Sequence, residues 1–162
     1  MLMPVAAWGR VADDIADDCL VKWGHWLGGC NRPFGRQSWA LWLEADIVVV
    51  AVSASTVNAR CGGYDRQECV ELARLCSHAD HRDLTRVGLR LWRKTAPAAW
   101  TGRYWPVKVC VSYANAIRHK GDIYRFDGWR KVADVKGGVA GGNWSRSKAF
   151  EPKSVWVWEV QA

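Results

Sequence analysis

A single α/β domain, with a mixed central sheet flanked by helices, is the fold class this sequence predicts. Three observations predict it. The chain has 162 residues, a length that suits one domain with one sizeable core. Its apolar patterns run helix, hairpin, strand, helix, strand, helix, strand, strand, an alternation that requires helices packed on a sheet. Finally, the buried-strand pattern Val107, Val109, Val111 ends at the polar pair Ser112-Tyr113. A loop with His119 and Gly121 follows, then a helical turn with Ile123-Tyr124, closed by Gly128-Trp129. No internal repeat or linker divides the chain, so residues 1–162 are read as one domain.

The elements follow in order. Residues 11–27 predict an amphipathic helix with an acidic first turn (Asp13, Asp14, Asp17, Asp18) and Val11, Ile15, Leu20 and Trp23 at helical spacing. Gly28-Gly29 stop it. Ser38 to Leu43 and Ile47 to Ser53 form a hairpin across the turn Glu44-Ala45-Asp46. Residues 54–67 are read as a loop, and Cys69 to Cys76 as a strand. Asp80 offers an N-cap for a helix from Arg82 to Lys94, ended by Pro97. Leu84, Val87, Gly88 and Leu91 form its apolar face, with Arg82, Arg86, Arg90 and Arg93 opposite. Strand 107–112, a short helix around 121–127, strand 129–135 and a closing strand from Ser154 to Val160 complete the sheet. Residues 136–152, rich in glycine, are read as a flexible basic loop.

Charge is unevenly placed. Residues 1–80 carry 7 basic and 10 acidic side chains, and residues 81–162 carry 16 and 6. A basic half suits a polyanion, because each Lys or Arg that meets a phosphate releases counterions; a soluble basic surface is the other reading. Twelve tryptophans are expected mainly in the core, as at Trp39, Trp42, Trp156 and Trp158. Trp26, Trp105 and Trp144 lie in loops, where a ring can stack on a base. The six cysteines lack Cys-x-x-Cys spacing and the four histidines lack zinc spacing, so free thiols are expected and no metal is indicated. No stretch approaches the roughly 18 apolar residues of a membrane span. Met1 to Trp8 lacks the features of a secretory signal, so a cytoplasmic location in the host cell, away from membranes, is expected.

The ending Tyr124, Arg125-Phe126-Asp127, Gly128, Trp129 is similar to the last helix of GNAT-superfamily acyltransferases. That resemblance implies a GNAT-like domain whose two central parallel strands, here 69–76 and 107–112, splay apart around an acyl donor. The N-terminus of the following helix would take the donor's pyrophosphate. A wider set of segments resembles a narrower group, the Mom-type DNA adenine-modification proteins of bacteriophages. These are Leu20 to Trp26, Trp42 through Ser55, Glu71-Leu72-Ala73-Arg74-Leu75-Cys76, Ser112-Tyr113-Ala114, and His119 to Trp129. Asn115 replaces that family's Asp, Arg118 its Gly, and Trp26 its Tyr. The usual GNAT phosphate loop is absent, and His78-Ala79-Asp80-His81-Arg82 takes its place.

The narrower resemblance implies modification of the N6 amine of adenine in double-stranded DNA with a carbamoylmethyl-type group, protecting the DNA from restriction. The group would come from acyl-CoA or another small donor. An adenine amine is a poor nucleophile that must be flipped out, oriented and deprotonated. His25, Ser112, Tyr124 and Arg74 are the catalytic candidates: His25 as base or metal ligand, Tyr124 as acid or orienting hydroxyl, Ser112 as orienting group. Each also has a plain structural reading, as cap, core tyrosine or turn former. Arg74 needs an acidic or phosphate partner if buried, and Glu71 is the suggested one. Trp26, Glu71, Tyr113, Asn115 and His119 are candidates for substrate or donor binding. Arg82, Arg86, Lys131, Lys136, Arg146 and Lys148 are candidates for DNA contact, the first two read most simply as a solvated helix face and the other four as the better candidates. The alternative function is an N-acyltransferase using acyl-CoA on a small-molecule or protein amine. A non-catalytic DNA-binding relative is a third reading.

Overall fold

A computed structural model describes residues 5–32, 34–100, 106–136, 138–139 and 149–161. The main sheet has seven strands in the order β1-β2-β3-β6-β7-β11-β8. In chain order the strands are β1 (Ala6–Val11), β2 (Arg36–Leu43), β3 (Asp46–Ala54), β4 (Arg60–Cys61), β5 (Tyr64–Asp65), β6 (Cys69–Ser77), β7 (Val109–Asn115), β8 (Arg130–Val135), β9 (Gly138–Val139), β10 (Ala149–Phe150) and β11 (Lys153–Glu159). The helices are α1 (Asp13–Lys22), α2 (Thr85–Ala99) and α3 (Asp122–Phe126). This is the mixed, helix-flanked sheet that the pattern order predicts. No described helix is long and apolar enough to cross a membrane.

Helices cover both faces of the sheet. On one face α2 lays Leu89, Trp92 and Ala96 against Ala51, Val70, Leu72 and Cys110. On the other, α1 lays Ala16 and Leu20 against Val50 and Val52. The alternation of Val50, Ala51 and Val52 between the two clusters is the strand period made visible. Gly88 sits where α2 meets the sheet, and a Cβ there would come within 2.6 Å of Val49. Trp92 is fully buried, and its indole N–H donates to Ser53 Oγ at 2.9 Å.

Several local expectations change. The helix read over 11–27 is shorter, because Ala6–Val11 pairs antiparallel with β2 as an edge strand. Two contacts tie that strand down: Trp8 Nε1 donates to Thr95 at 3.0 Å, and the Trp8 ring stacks on Trp39. The helix read from Arg82 begins instead as a 3₁₀ segment, Ala79–Leu84, whose N-cap is His78 rather than Asp80. The α-helix proper starts at Thr85 and carries Pro97 in its last turn, where little of the helix remains to disrupt. Its buried face is Gly88, Leu89, Trp92 and Ala96, and Val87 is exposed. Within 54–67, Arg60–Cys61 and Tyr64–Asp65 form a small hairpin. Within 136–152, Gly138–Val139 pairs with Ala149–Phe150. The stretch between them, with Trp144, Arg146 and Lys148, lies outside the described residues, as does Trp105.

The basic stripe of α2 is not uniformly solvated. Arg93 donates to Asp127 at 2.5 Å and Arg90 at 3.3 Å, and the Asp127 side chain is 2% exposed. Asp127 also accepts from Trp129 Nε1 at 3.0 Å. A carboxylate so deeply buried is stable only with such partners. They clamp α2 to the end of α3.

Candidate functional site

β6 and β7 are parallel and paired over three positions, Cys69 with Val109, Val70 with Cys110 and Glu71 with Val111. From Leu72 and Ser112 onward the ladder stops and the strands part. What opens between them is a cleft of about 440 Å³ lined by residues of both strands, of the loop after α1, and of α3. Leu72 belongs to the cluster under α2 and Ala73 to the cluster under α1, yet both line the cleft. The opening therefore passes through the sheet, with one end toward α2 and α3 and the other toward the loop after α1.

At the α3 end stands Tyr124. Gly121 starts the turn at φ 80°, where any Cβ would overlap the Trp156 indole, so only glycine fits there. Gly128, at φ 88°, turns the chain into β8. Between them Tyr124 is 7% exposed, stacked on Trp156 and edge-on to Trp129. Its hydroxyl and Ser112 Oγ are 2.8 Å apart. Burial pushes the phenol upward, against a smaller pull from Ser112, so it holds its proton at neutral pH. Arg82 and Thr85 also line the cleft.

At the other end are Trp23, His25, Trp26, Asn115 and His119. The main chain turns after α1, and the amide of Leu27 donates to His25 Nδ1 at 3.2 Å. Nδ1 is thus unprotonated, and Nε2 carries the ring's hydrogen. Burial first, then Arg74 and His119, push the His25 pKa down to about 4. His25 is therefore neutral at physiological pH and presents a donor. Acting as base would require giving up the Leu27 bond.

A bulge sets Arg74. β3 and β6 slip register between Val52 and Ser53, leaving Ala73 as the extra residue. Arg74 consequently reaches the loop after α1, donating to the carbonyls of Gly28 at 3.1 Å, Gly29 at 3.1 Å and Ala73 at 2.8 Å. The expected Glu71–Arg74 pair does not form. The bulge does put the two on one face, opposite Ala54 and Val52, but Arg32 from the loop takes the Glu71 carboxylate at 2.5 Å. Glu71 does not line the cleft.

Two other candidates, Tyr113 and Asn115, border the cleft and also make structural contacts. Tyr113 borders the cleft, but alternation along β7 turns its ring to the opposite face from Ser112. There it packs with Val109 and Val111, and its hydroxyl meets Cys61 Sγ at 2.9 Å. Asn115 is 1% exposed and shapes the loop. Its Oδ1 accepts from the amides of Ile117 and Arg118, both at 3.0 Å, and its amide donates to Glu151. An aspartate could accept the first two bonds but not make the third. Of the basic candidates, Arg82 borders the cleft, and Arg86 lies over the exposed Phe126 ring. Lys131 pairs with Asp134 on β8, and exposed Lys136 follows that strand. The cleft residues not anticipated include Trp23, Thr85 and Ile123. Helical spacing puts Trp23 on a packed helix face, and at the helix C-cap it both packs against the cluster under α1 and borders the cleft. All six cysteines are free thiols.

No protein-family model and no curated protein matches the chain. Solved structures do. The ribosomal-protein-S18-alanine N-acetyltransferase of Escherichia coli superposes with a TM-score of 0.67 at 9% identity, over 98% of this chain and 96% of that one. An Arabidopsis thaliana protein solved with acetyl-CoA gives 0.64 at 9% identity, over 96% and 99%. An acetyltransferase of the GNAT family from Streptococcus pneumoniae gives 0.60 at 8% identity, over 97% and 100%. At such identities the likeness is one of fold: this chain has the architecture of the GNAT acetyltransferases.

Proposed function

We propose that the chain is a group transferase of the acyltransferase type, passing a small acyl-like group from a donor to an amine inside the through-sheet cleft. The observation that carries this reading is the parting of β6 and β7 after Glu71 and Val111, with the Ser112–Tyr124 hydroxyl pair on one side and His25 on the other. The amine nitrogen would form a bond to the donor's electrophilic carbon as the bond to the leaving atom breaks. Tyr124, kept protonated by burial, supplies the proton to that leaving atom. His25 donates through Nε2 to the oxygen that gains charge. His119, exposed and bordering the cleft, is our candidate to take the amine's proton. Fold likeness to N-acetyltransferases, with one such structure solved with acetyl-CoA, supports acetyl-CoA or a related thioester as donor.

A second reading narrows the acceptor to the N6 amine of adenine in DNA, as in the Mom-type proteins. One observation favours it. Segments of that resemblance lie far apart in sequence, yet His25, Trp26, Arg74, Ser112, Asn115, His119 and Tyr124 all border one cleft. Residues 77–85 also lack a glycine-rich phosphate loop, and His78 Nδ1 already accepts from the Asp80 amide at 3.2 Å. That arrangement suits a donor less dependent on a pyrophosphate cradle.

Two measurements test these readings. Calorimetry with acetyl-CoA, followed by thiol release in the presence of an amine panel, tests the general one; no turnover with any amine or DNA would sink it. Mass spectrometry of nucleosides from the DNA of expressing cells tests the narrower one, which predicts a modified deoxyadenosine that disappears in Tyr124→Phe. Unmodified DNA together with acetyl-CoA turnover would assign a small-molecule or protein amine instead.

A further inference from the structure

His25 and Trp26 lie on the loop after α1 and line the cleft. The near end of that loop is fixed by the helix, since the His25 amide donates to the Leu20 carbonyl at 2.9 Å. A tight turn follows, in which the Gly28 amide donates to the His25 carbonyl at 2.8 Å and the Leu27 amide to His25 Nδ1 at 3.2 Å. Arg74 grips the far side of this turn: Nε donates to the Gly28 carbonyl and Nη2 to that of Gly29, both at 3.1 Å. A third bond, from Nη1 to the Ala73 carbonyl at 2.8 Å, fixes the guanidinium to its own strand. The fork thus joins β6 to the turn that carries His25. Its charge is compensated where it lies. Asp17 and Glu71 both act on Arg74, and each carboxylate is held by a further guanidinium, Asp17 by Arg36 at 2.8 Å and Glu71 by Arg32 at 2.5 Å. Asp17 and Arg36 hold the next residue of the loop as well: the Cys30 amide donates to Asp17 at 2.8 Å and its carbonyl accepts from Arg36 at 2.6 Å. The fit requires glycine, because a Cβ on Gly29 would come within 2.9 Å of Asp17 Cγ.

We infer that Arg74 is a positioning residue rather than a catalytic one: its planar fork holds the Gly28 and Gly29 carbonyls, and through that turn it sets where His25 presents Nε2 to the cleft. A guanidinium can do this because its N–H groups diverge in one plane and reach two consecutive carbonyls at once. A lysine ammonium carries the same charge without that geometry. The contact has a second effect. Arg74 and His119 are the charged or titratable groups that act on His25, and both oppose its protonation. The side chain that places the ring therefore also helps to keep it neutral. This inference rests on the cleft being the transfer site, but the placement of His25 can be measured in the free protein, without any substrate.

The test records histidine proton–nitrogen NMR spectra of the full-length wild type, Arg74→Gln, Arg74→Lys and Gly29→Ala across a pH titration. Thiol release from acetyl-CoA with an amine panel is measured on the same samples. In the wild type His25 should be a single tautomer, protonated on Nε2, that titrates at about 4. In all three variants the Leu27 bond loosens, so the two tautomers should mix. Turnover should fall in kcat by about ten- to a hundredfold, as for a displaced catalytic group, with the KM for acetyl-CoA unchanged. Arg74→Gln should also move the His25 titration up toward the ordinary value of about 6.5, and Arg74→Lys, which keeps the charge, should move it less. Gly29→Ala leaves Arg74 in place and displaces only the turn, so it separates placement from charge and decides the matter even if Arg74→Gln does not fold. The surface control Arg130→Gln should match the wild type throughout. A wild-type tautomer in Arg74→Gln or Gly29→Ala would overturn the inference, as would Arg74→Lys with wild-type spectra and kcat. A raised KM in Arg74→Gln with kcat and the His25 signals unchanged would instead put Arg74 on a ligand. A wild type without turnover fails the transfer reading alone, since the His25 spectra still decide whether Arg74 places the ring.

Discussion

Tyr124 and His25 show how a side chain's surroundings decide what it can do. The Tyr124 hydroxyl has one described partner, Ser112 Oγ, in a site closed by Trp129 and Trp156. Tyr124→Phe removes one hydrogen bond and leaves the packing, so stability should fall by only about 1 kcal/mol. Turnover should fall by about a hundredfold if the hydroxyl delivers a proton. Thermal melting and steady-state kinetics on the same preparation separate the two. His25, with a native pKa of about 4, binds its proton later than in the unfolded chain, where the value is about 6.5. The unfolded state therefore holds more protons between those limits, and stability from this residue is present above about pH 6.5 and lost as pH falls toward 4. His25→Gln should flatten the fall in denaturation midpoint over that window. An equally steep fall in the variant would show that other groups cause it. Asn115 reads in the sequence as an acid exchanged for its amide; in the folded chain it is a loop former whose amide needs Glu151.

Elements are set by where a helix can approach the sheet. Gly88→Val would force a side chain into Val49, already 2.6 Å from a bare Cβ position, and should cost about 1–3 kcal/mol by overpacking, read from the chemical denaturation midpoint. Asp127→Ala should cost about 3 kcal/mol, because Arg93 and Trp129 Nε1 lose their buried partner. It should also loosen α3, and with it Tyr124. A variant with normal stability and normal turnover would show that the clamp does not position the site. The α2 register illustrates a limit of pattern reading. Leu84, Val87 and Leu91 are apolar at helical spacing, but Trp92 outweighs them in area and turns the helix so that Val87 faces solvent.

For the whole molecule, the decisive feature is a seven-stranded sheet that is continuous except where β6 and β7 part. A ligand in that gap bridges two halves joined there by only three paired positions. Bound donor or acceptor should therefore slow hydrogen exchange in residues 72–77 and 112–115 together, with β1 and β2 unaffected. Protection of one wall alone would argue that the gap is not the binding site.

Read alone, the sequence determined the class of fold and most strands, because a strand covered on both faces reads as a short continuous apolar run, as in Val49 to Ser53 and Val109 to Ser112. It also marked Tyr124, Gly121 and Gly128, whose chemistry is local: a tight turn admits glycine and little else. Only the tertiary structure decided partners. Glu71 answers to Arg32 rather than to Arg74, since the loop after α1 brings a second guanidinium to the carboxylate and offers its own carbonyls to Arg74. Tyr113 turns to the face opposite Ser112 and meets Cys61 there, and Asp127 gathers Arg90 and Arg93 from α2 and Trp129 from the residue before β8. The Arg32–Glu71 and Arg90–Asp127 pairs each close more than 35 residues of chain. They depend on direction and depth in the folded molecule, which no spacing along the chain encodes.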